Sequence, residues 1–445
     1  MTSIRQASIG KLFAAVVAMV AFAALTTILV PVARAQSFSV LHAFNGGAEG
    51  GGPYGGVIFD SAGNLFGNLA RGGDLRDCVN SPGCGVVYEL SPSSSGVWKE
   101  IPLYVFRNNT GAVPGGNLLL DSAGEIFGVA EEGGGSPLCG FIEQGCGLIF
   151  QLSPEGEGYQ QSPLWIFNGE GDGGVPSGSL IDDGDSNLYG TTYQGGKTNK
   201  VYALGSGVVF RFSPNGSGGW AEAVLYSFSG GADGALPFAG LIRDAAGNLY
   251  GTTYQGGKVN KICQYGCGVV FELSPSSSGS WTETVLYSFN GGPDGSNPVG
   301  GVAMDAAGNL FGTTAYGGPH NFGTVFKLTS RSGAWEETLL HTFAGGSDGG
   351  YPYAGVTLDG AGSVYGTTES GGNTNDCLGG GGCGVVFKFA RVGGEWKETV
   401  LHAFTGISDG EIPEAPLTLG RDGNLYGTAV FRGAFGGGTV FRVTP

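Results

Sequence analysis

Eight cysteines fall in four close pairs: Cys78/Cys84, Cys139/Cys146, Cys263/Cys267 and Cys377/Cys383. Each pair lies just before a short apolar run such as "GVVF". Thiols at this spacing either oxidise to a local bridge or hold a metal. Zinc needs four ligands, and no histidine accompanies any pair, so no metal site is expected there. Where the same stretch recurs without cysteine, Tyr202 and Ser206 stand opposite Cys263 and Cys267. Both cysteines are missing together. That is what covalent pairing demands, and it points to an oxidising compartment. Closing loops this short stabilises by only about 2 kcal/mol each, so the bridges pin loops rather than hold the fold.

The carboxylates come in two repeating sets. Asp60, Asp121, Asp183, Asp244, Asp305 and Asp359 precede segments such as "DAAGN", where an aspartate caps a tight turn. Asp172, Asp233, Asp294, Asp348 and Asp409 stand in "GG-x-DG" links. Turn formation accounts for these as well, but they are also the ligand-binding candidates, with Ca²⁺ as the cation that hard oxygen donors would take. "DDGDSN" (182–187) is the densest oxygen cluster, yet it lacks the distal glutamate of an EF-hand loop. No metal ligand set and no cofactor motif stands out.

Catalytic side chains are scarce. His42, His341 and His402 occupy the position held by Tyr226 and Tyr287 in "VLYSF", so they read as ring-for-ring substitutions. Only His320 falls in a loop. "GGSDG" (345–349) matches a nucleophile-elbow pattern, but Ser347 aligns with Ala232 and Pro293, and no helix-forming stretch follows. Trp98, Trp220, Trp281, Trp335 and Trp396 recur at one position of the repeat, which favours packing over sugar binding. No catalytic residue is assigned.

Residues 1–35 read as a secretory signal peptide: Arg5 and Lys11, an apolar run from Leu12 to Val32, then Ala33-Arg34-Ala35 as a cleavage site. Their removal takes three cations and no carboxylate, moving the formal net charge from −16 to −19. Such a surface repels nucleic acid. No later stretch reaches membrane length. The expected location is periplasmic or extracellular.

What must position these residues is a repeat. Glycine supplies 90 of 445 residues, about three times the usual share, while the apolar residues recur in register. Landmark glycines at 67, 128, 190, 251, 312, 366 and 427 are spaced 61, 62, 61, 61, 54 and 61 apart. Aromatics at 88, 150, 210, 271, 326, 387 and 441 precede the next landmark glycine by 40 or 41 residues, so length varies only in the loop after each glycine. Loops tolerate insertion and strands do not. Each unit carries four apolar runs; in the fourth they are "GLIRD", "NLYGTT", "GVVFEL" and "WTETVLYSF". This predicts an all-β, seven-bladed propeller with four antiparallel strands per blade. The blades span about 53–106, 114–167, 176–228, 237–289, 298–343, 352–404 and 413–445 plus 37–44. The last unit lacks a fourth strand, and "FSVLHAF" (38–44) is a spare one, so the N-terminal strand should close the ring.

The patterns GNLYGTT-x-GG, G-x-VF-x-L-x-P, W-x-E-x-VLYSF and GG-x-DG-x-x-P together resemble the GloVer tandem-repeat family of exported bacterial proteins. The resemblance covers the chain beyond residue 35 and implies secretion and a repeat fold, with no activity to carry over. In an up-and-down blade, the long loops and the inter-blade links leave on one face. The function expected is a binding scaffold for a glycan, small ligand or protein on that face. The alternative is a polysaccharide hydrolase or lyase using carboxylates at the central pocket; a catalytic pair should break the repeat symmetry.

Overall fold

The computed structural model describes residues 36–445 except 76–77, 79–82, 94, 137–144, 157 and 374–376. The predicted signal peptide lies outside the described residues, as does Cys139. Seven four-stranded antiparallel sheets form a seven-bladed propeller, and helix is confined among the described residues to two single 3₁₀ turns, Asn108–Thr110 and Leu378–Gly380. The fourth blade shows the plan: Ile242–Arg243, Leu249–Thr253, Val269–Pro275 and Trp281–Ser288, paired in that order. The ring closes as the sequence predicts. Ser37–Ala43 pairs antiparallel with Thr439–Thr444, so the N-terminal strand is the outer strand of the last blade.

The two sequence landmarks turn out to be one contact. Gly251 on the second strand pairs with Phe271 on the third, and a Cβ at Gly251 would lie 2.6 Å from the Phe271 ring. Only glycine leaves room for that ring. A second aromatic, at the end of each fourth strand, packs across the junction onto the next blade. Phe44 meets Tyr88, Phe106 meets Phe150, Phe228 meets Phe271 and Phe289 meets Phe326, with ring centroids 5.0, 5.0, 5.1 and 5.2 Å apart. Phe167–Phe210, Phe343–Phe387 and Phe404–Phe441 complete the circle. All fourteen rings are fully buried, so the core is a chain of inter-blade contacts rather than one central mass.

The "GTT" of the repeat fixes the inner ring. Its first threonine reaches the next blade: Thr191 donates to the Ala239 carbonyl at 2.8 Å, Thr252 to Gly300 at 3.0 Å and Thr428 to Gly55 at 3.0 Å. Its second threonine donates to its own loop, as Thr253 does to the Gln255 carbonyl at 2.8 Å. These buried bonds hold neighbouring first strands in fixed register around the axis.

Candidate functional site: the central cavity

The innermost strands surround a cavity of about 870 Å³. Two positions of the repeat supply much of its wall. One is the residue after a proline present in every blade, before the first strand or, for Gly115, within it: Tyr54, Gly115, Ser177, Phe238, Val299, Tyr353 and Glu414. The other is the third residue past the landmark glycine, which supplies Ala70, Glu131, Tyr193 and Tyr254. Both positions adjoin the links and long loops, so the cavity opens on the loop-rich face. Glycine lets neighbouring blades approach closely here: a Cβ on Gly178 would fall 2.5 Å from the Ala239 backbone.

Backbone strain aims the first set. Val113, Val175, Leu236, Asn297, Tyr351 and Ile412 each precede the proline with φ between 55° and 60°. A β-branched or bulky residue there costs about 1–3 kcal/mol. Its N–H is held by the preceding blade: Val113 donates to the Cys84 carbonyl, Val175 to Cys146, Asn297 to Cys267 and Ile412 to Cys383, at 3.0, 2.8, 2.7 and 3.1 Å. Those acceptors are disulfide cysteines. The pairs Cys78–Cys84, Cys263–Cys267 and Cys377–Cys383 are bonded as the sequence predicts, with Cα separations of 5.5, 5.2 and 5.2 Å. Of the fourth predicted pair, Cys139/Cys146, only Cys146 is among the described residues. Cys146 is fully buried and disulfide-bonded, while its predicted pairing with Cys139 lies outside the described residues. The same bond forms without a cysteine where Leu236 donates to the Ser206 carbonyl and Tyr351 to that of Phe322, both at 2.8 Å, so the bridges sit beside this contact and are not required for it. Disulfides belong to an oxidising, extracytoplasmic environment. Among the described residues no helix is long and apolar enough to cross a membrane.

The cavity is chemically lopsided. Blades seven, one and two contribute Glu414, Arg71, Tyr54 and Glu131, while Tyr193, Phe238, Tyr254 and Tyr353 come from blades three, four and six. Tyr193 and Phe238 meet edge to face at 5.9 Å, and the Tyr353 hydroxyl shares a 2.7 Å hydrogen bond with Tyr316. Burial pushes the Glu131 carboxyl up to about 7, helped by Glu132. Glu414 is likewise pushed up to about 7, first by burial and then by the charge of Glu369. Both can hold a proton near neutral pH and donate a hydrogen bond.

None of the link aspartates lines this cavity. They sit farther out, beneath the fourth strands. Asp233 accepts from the Tyr226 hydroxyl at 3.0 Å and the Ser229 N–H at 2.7 Å. Asp294 accepts from Tyr287 at 3.1 Å and the Asn290 N–H at 2.9 Å, and Asp172 from the Trp165 indole at 3.3 Å. His341 and His402 approach Asp348 and Asp409 at 3.3 and 2.9 Å, filling the tyrosine role that the sequence assigned them. The other aspartate set caps hairpins, Asp244 accepting from the N–H groups of Ala246 and Asn248 at 2.9 and 2.8 Å.

Each of four junctions also holds a glutamate from the next blade. Burial and then the neighbouring link aspartate push Glu222 up to about 8, and Glu283, Glu337 and Glu398 up to about 7. One oxygen of each is buried without a hydrogen-bond partner, which disfavours the charged form. The second blade carries Gln161 at this position, donating to the Thr110 carbonyl at 3.3 Å. These folded-state values exceed the ordinary carboxyl value of 4.5, so the native state keeps protons that the unfolded chain releases. Their stabilising contribution is complete below about pH 4.5 and is lost as pH rises through 7 to 8. The melting temperature should fall between about pH 5 and pH 8.5, and Glu222→Gln should flatten that fall. A melting temperature that rises across this range would refute proton retention at the junctions.

A model of the Gloeobacter/Verrucomicrobia repeat matches residues 140–378 and 259–445, which together span more than half of the chain. The chain belongs to this family. No curated protein sequence matches this chain. Among solved structures it is similar to a fungal alcohol oxidase of the AA5 family in complex with copper, at 13% identity and a TM-score of 0.50, covering 92% of this chain and 76% of that one. A gluconolactonase from Xanthomonas campestris aligns at 11% identity and a TM-score of 0.41, over 92% and 89% of the two chains. An aldose sugar dehydrogenase from Streptomyces coelicolor aligns at 12% identity and 0.42, over 74% and 93%. Such likeness concerns fold, and the site must speak for its own chemistry.

The sequence held a signal for the cavity. In a chain that repeats itself closely, the residue after the shared proline changes from each blade to the next, with only tyrosine used twice. Repetition marks what builds the scaffold, and that position departs from it.

Proposed function

We propose that this exported repeat protein binds carbohydrate in the central cavity of its loop-rich face. The observation that carries the reading is the split wall. Aromatic rings on one arc offer flat apolar faces for sugar C–H groups, and glutamates with an arginine on the other offer hydrogen bonds to hydroxyls. The size fits a small oligosaccharide or a chain end, since ligand cavities run about 300–1,000 Å³. The link aspartates, engaged in their own turns, serve in this reading as braces; neither Ca²⁺ nor a cofactor is needed.

A glycan array followed by titration calorimetry tests the proposal. Tyr193→Ala/Tyr254→Ala should weaken the best oligosaccharide about tenfold or more, at about 0.5–1.5 kcal/mol per ring. Asp233→Ala/Asp294→Ala should not. Equal binding by wild type and the tyrosine double variant would place the site elsewhere.

A hydrolase or lyase is the second reading, favoured by one observation. Glu131 and Glu414, with carboxyls pushed up to about 7, are suited to general acid work at neutral pH. A released-sugar assay on the array's best ligand separates the two: turnover abolished in Glu131→Gln or Glu414→Gln supports the enzyme, and binding without turnover supports the scaffold.

A further inference from the structure

Arg71 breaks the repeat in a different way from the aromatic residues. Its position, four past the landmark glycine, holds Glu132, Gln194, Gln255, Tyr316, Ser370 and Phe431 in the other blades. Among the described residues it is the one Lys or Arg in the cavity wall. Its guanidinium lies 5.1 Å from the Phe431 ring centroid and 5.8 Å from that of Tyr54, and it donates to the Tyr54 hydroxyl at 3.0 Å. Two aromatic side chains, Phe431 and Tyr54, thus hold the fork in place, the second also through its hydroxyl. Among the described residues no carboxylate forms an ion pair with it, although Glu131 and Glu414 line the same cavity.

A half-buried arginine fixed in this way can anchor an anion. Its planar fork has five N–H donors, matches a carboxylate through two parallel hydrogen bonds, and commits one donor here to Tyr54. We propose that the ligand of the cavity is a carboxylated sugar, a uronic-acid unit of an oligosaccharide, whose carboxylate pairs with Arg71. This rests on the carbohydrate reading and adds the class of sugar. Raised carboxyls at Glu131 and Glu414 support it, because in their protonated form they do not repel an anion and leave Arg71 as the local charge. The chain's formal charge of −16 opposes an anion at long range. Salt at about 0.15 M confines that opposition to about 8 Å.

Calorimetry at about pH 6, below the raised glutamate values, with a galacturonate oligosaccharide, a neutral galactose oligosaccharide of equal length and a sulfated one gives the test. The acidic sugar should bind wild type about tenfold more tightly than the neutral one, the scale of a charge-assisted pair. In Arg71→Gln the ratio should fall to about one, and in Arg71→Lys part of it should persist, with thermal melts confirming that both variants fold. Equal binding of acidic and neutral sugars by wild type overturns this inference and leaves the carbohydrate reading intact. A preference that survives Arg71→Gln removes Arg71 as the anchor, and a sulfated sugar bound as tightly as the galacturonate overturns the carboxylate assignment. No binding of any sugar overturns both.

Discussion

Removing residues 36–46 will lower the melting temperature by about 5 °C or more and expose a sheet edge that aggregates. The deleted segment supplies every partner of the last blade's third strand on its outer side, from Ser37 opposite Thr444 to Ala43 opposite Thr439. It also carries Phe44, fully buried against Tyr88 of the first blade. Phe38 goes with it, and Phe38 stacks on His402 at 3.5 Å. Losing one buried phenylalanine alone costs about 3–5 kcal/mol, and the ring would open at its only seam between chain ends. An unpaired strand is a template for association. Differential scanning calorimetry with light scattering measures both effects; an unchanged, soluble melt would show that the N-terminal strand does not close the ring.

Phe289→Ala should cost about 3–5 kcal/mol, whereas Trp281→Ala at the start of the same strand should cost less. Phe289 is fully buried and bridges two blades through Phe326, while Trp281 is partly exposed and meets Tyr189 edge to face at 6.4 Å. Urea unfolding of both variants checks the order. A smaller loss for Phe289→Ala than for Trp281→Ala would mean that the outer tryptophan row, not the circle of junction aromatics, ties the blades together.

The fold was legible because each blade must solve the same packing problem. Gly251 and Phe271 announce themselves as landmarks since one exists to admit the other. The closing strand was legible by counting, because the seventh unit is short by one strand and Ser37–Ala43 supplies it. The cavity was harder to see. Repetition drew attention to Asp233 and Asp294, whose carboxylates the structure ties to Tyr226 and Tyr287. Both positions follow from the same chain geometry, yet only the residue after the proline turns toward the axis. That turn depends on left-handed residues such as Val175 and Leu236, a conformation that a valine or leucine does not advertise in sequence. The cysteines were visible as loop staples, but not as the source of carbonyls, those of Cys146 and Cys267 among them, that accept from left-handed residues such as Val175 and Asn297. The glutamates at the junctions were likewise visible as "W-x-E", but their proton retention comes from burial beside an aspartate of another blade.

A co-crystal structure with the tightest-binding oligosaccharide from the array would locate the site. Sugar density is expected inside the cavity, with a ring stacked on Tyr193, Phe238 or Tyr254 and its hydroxyls toward Glu131 and Glu414. Sugar bound at the links around Asp233 and Asp294, with the cavity empty, would contradict that placement.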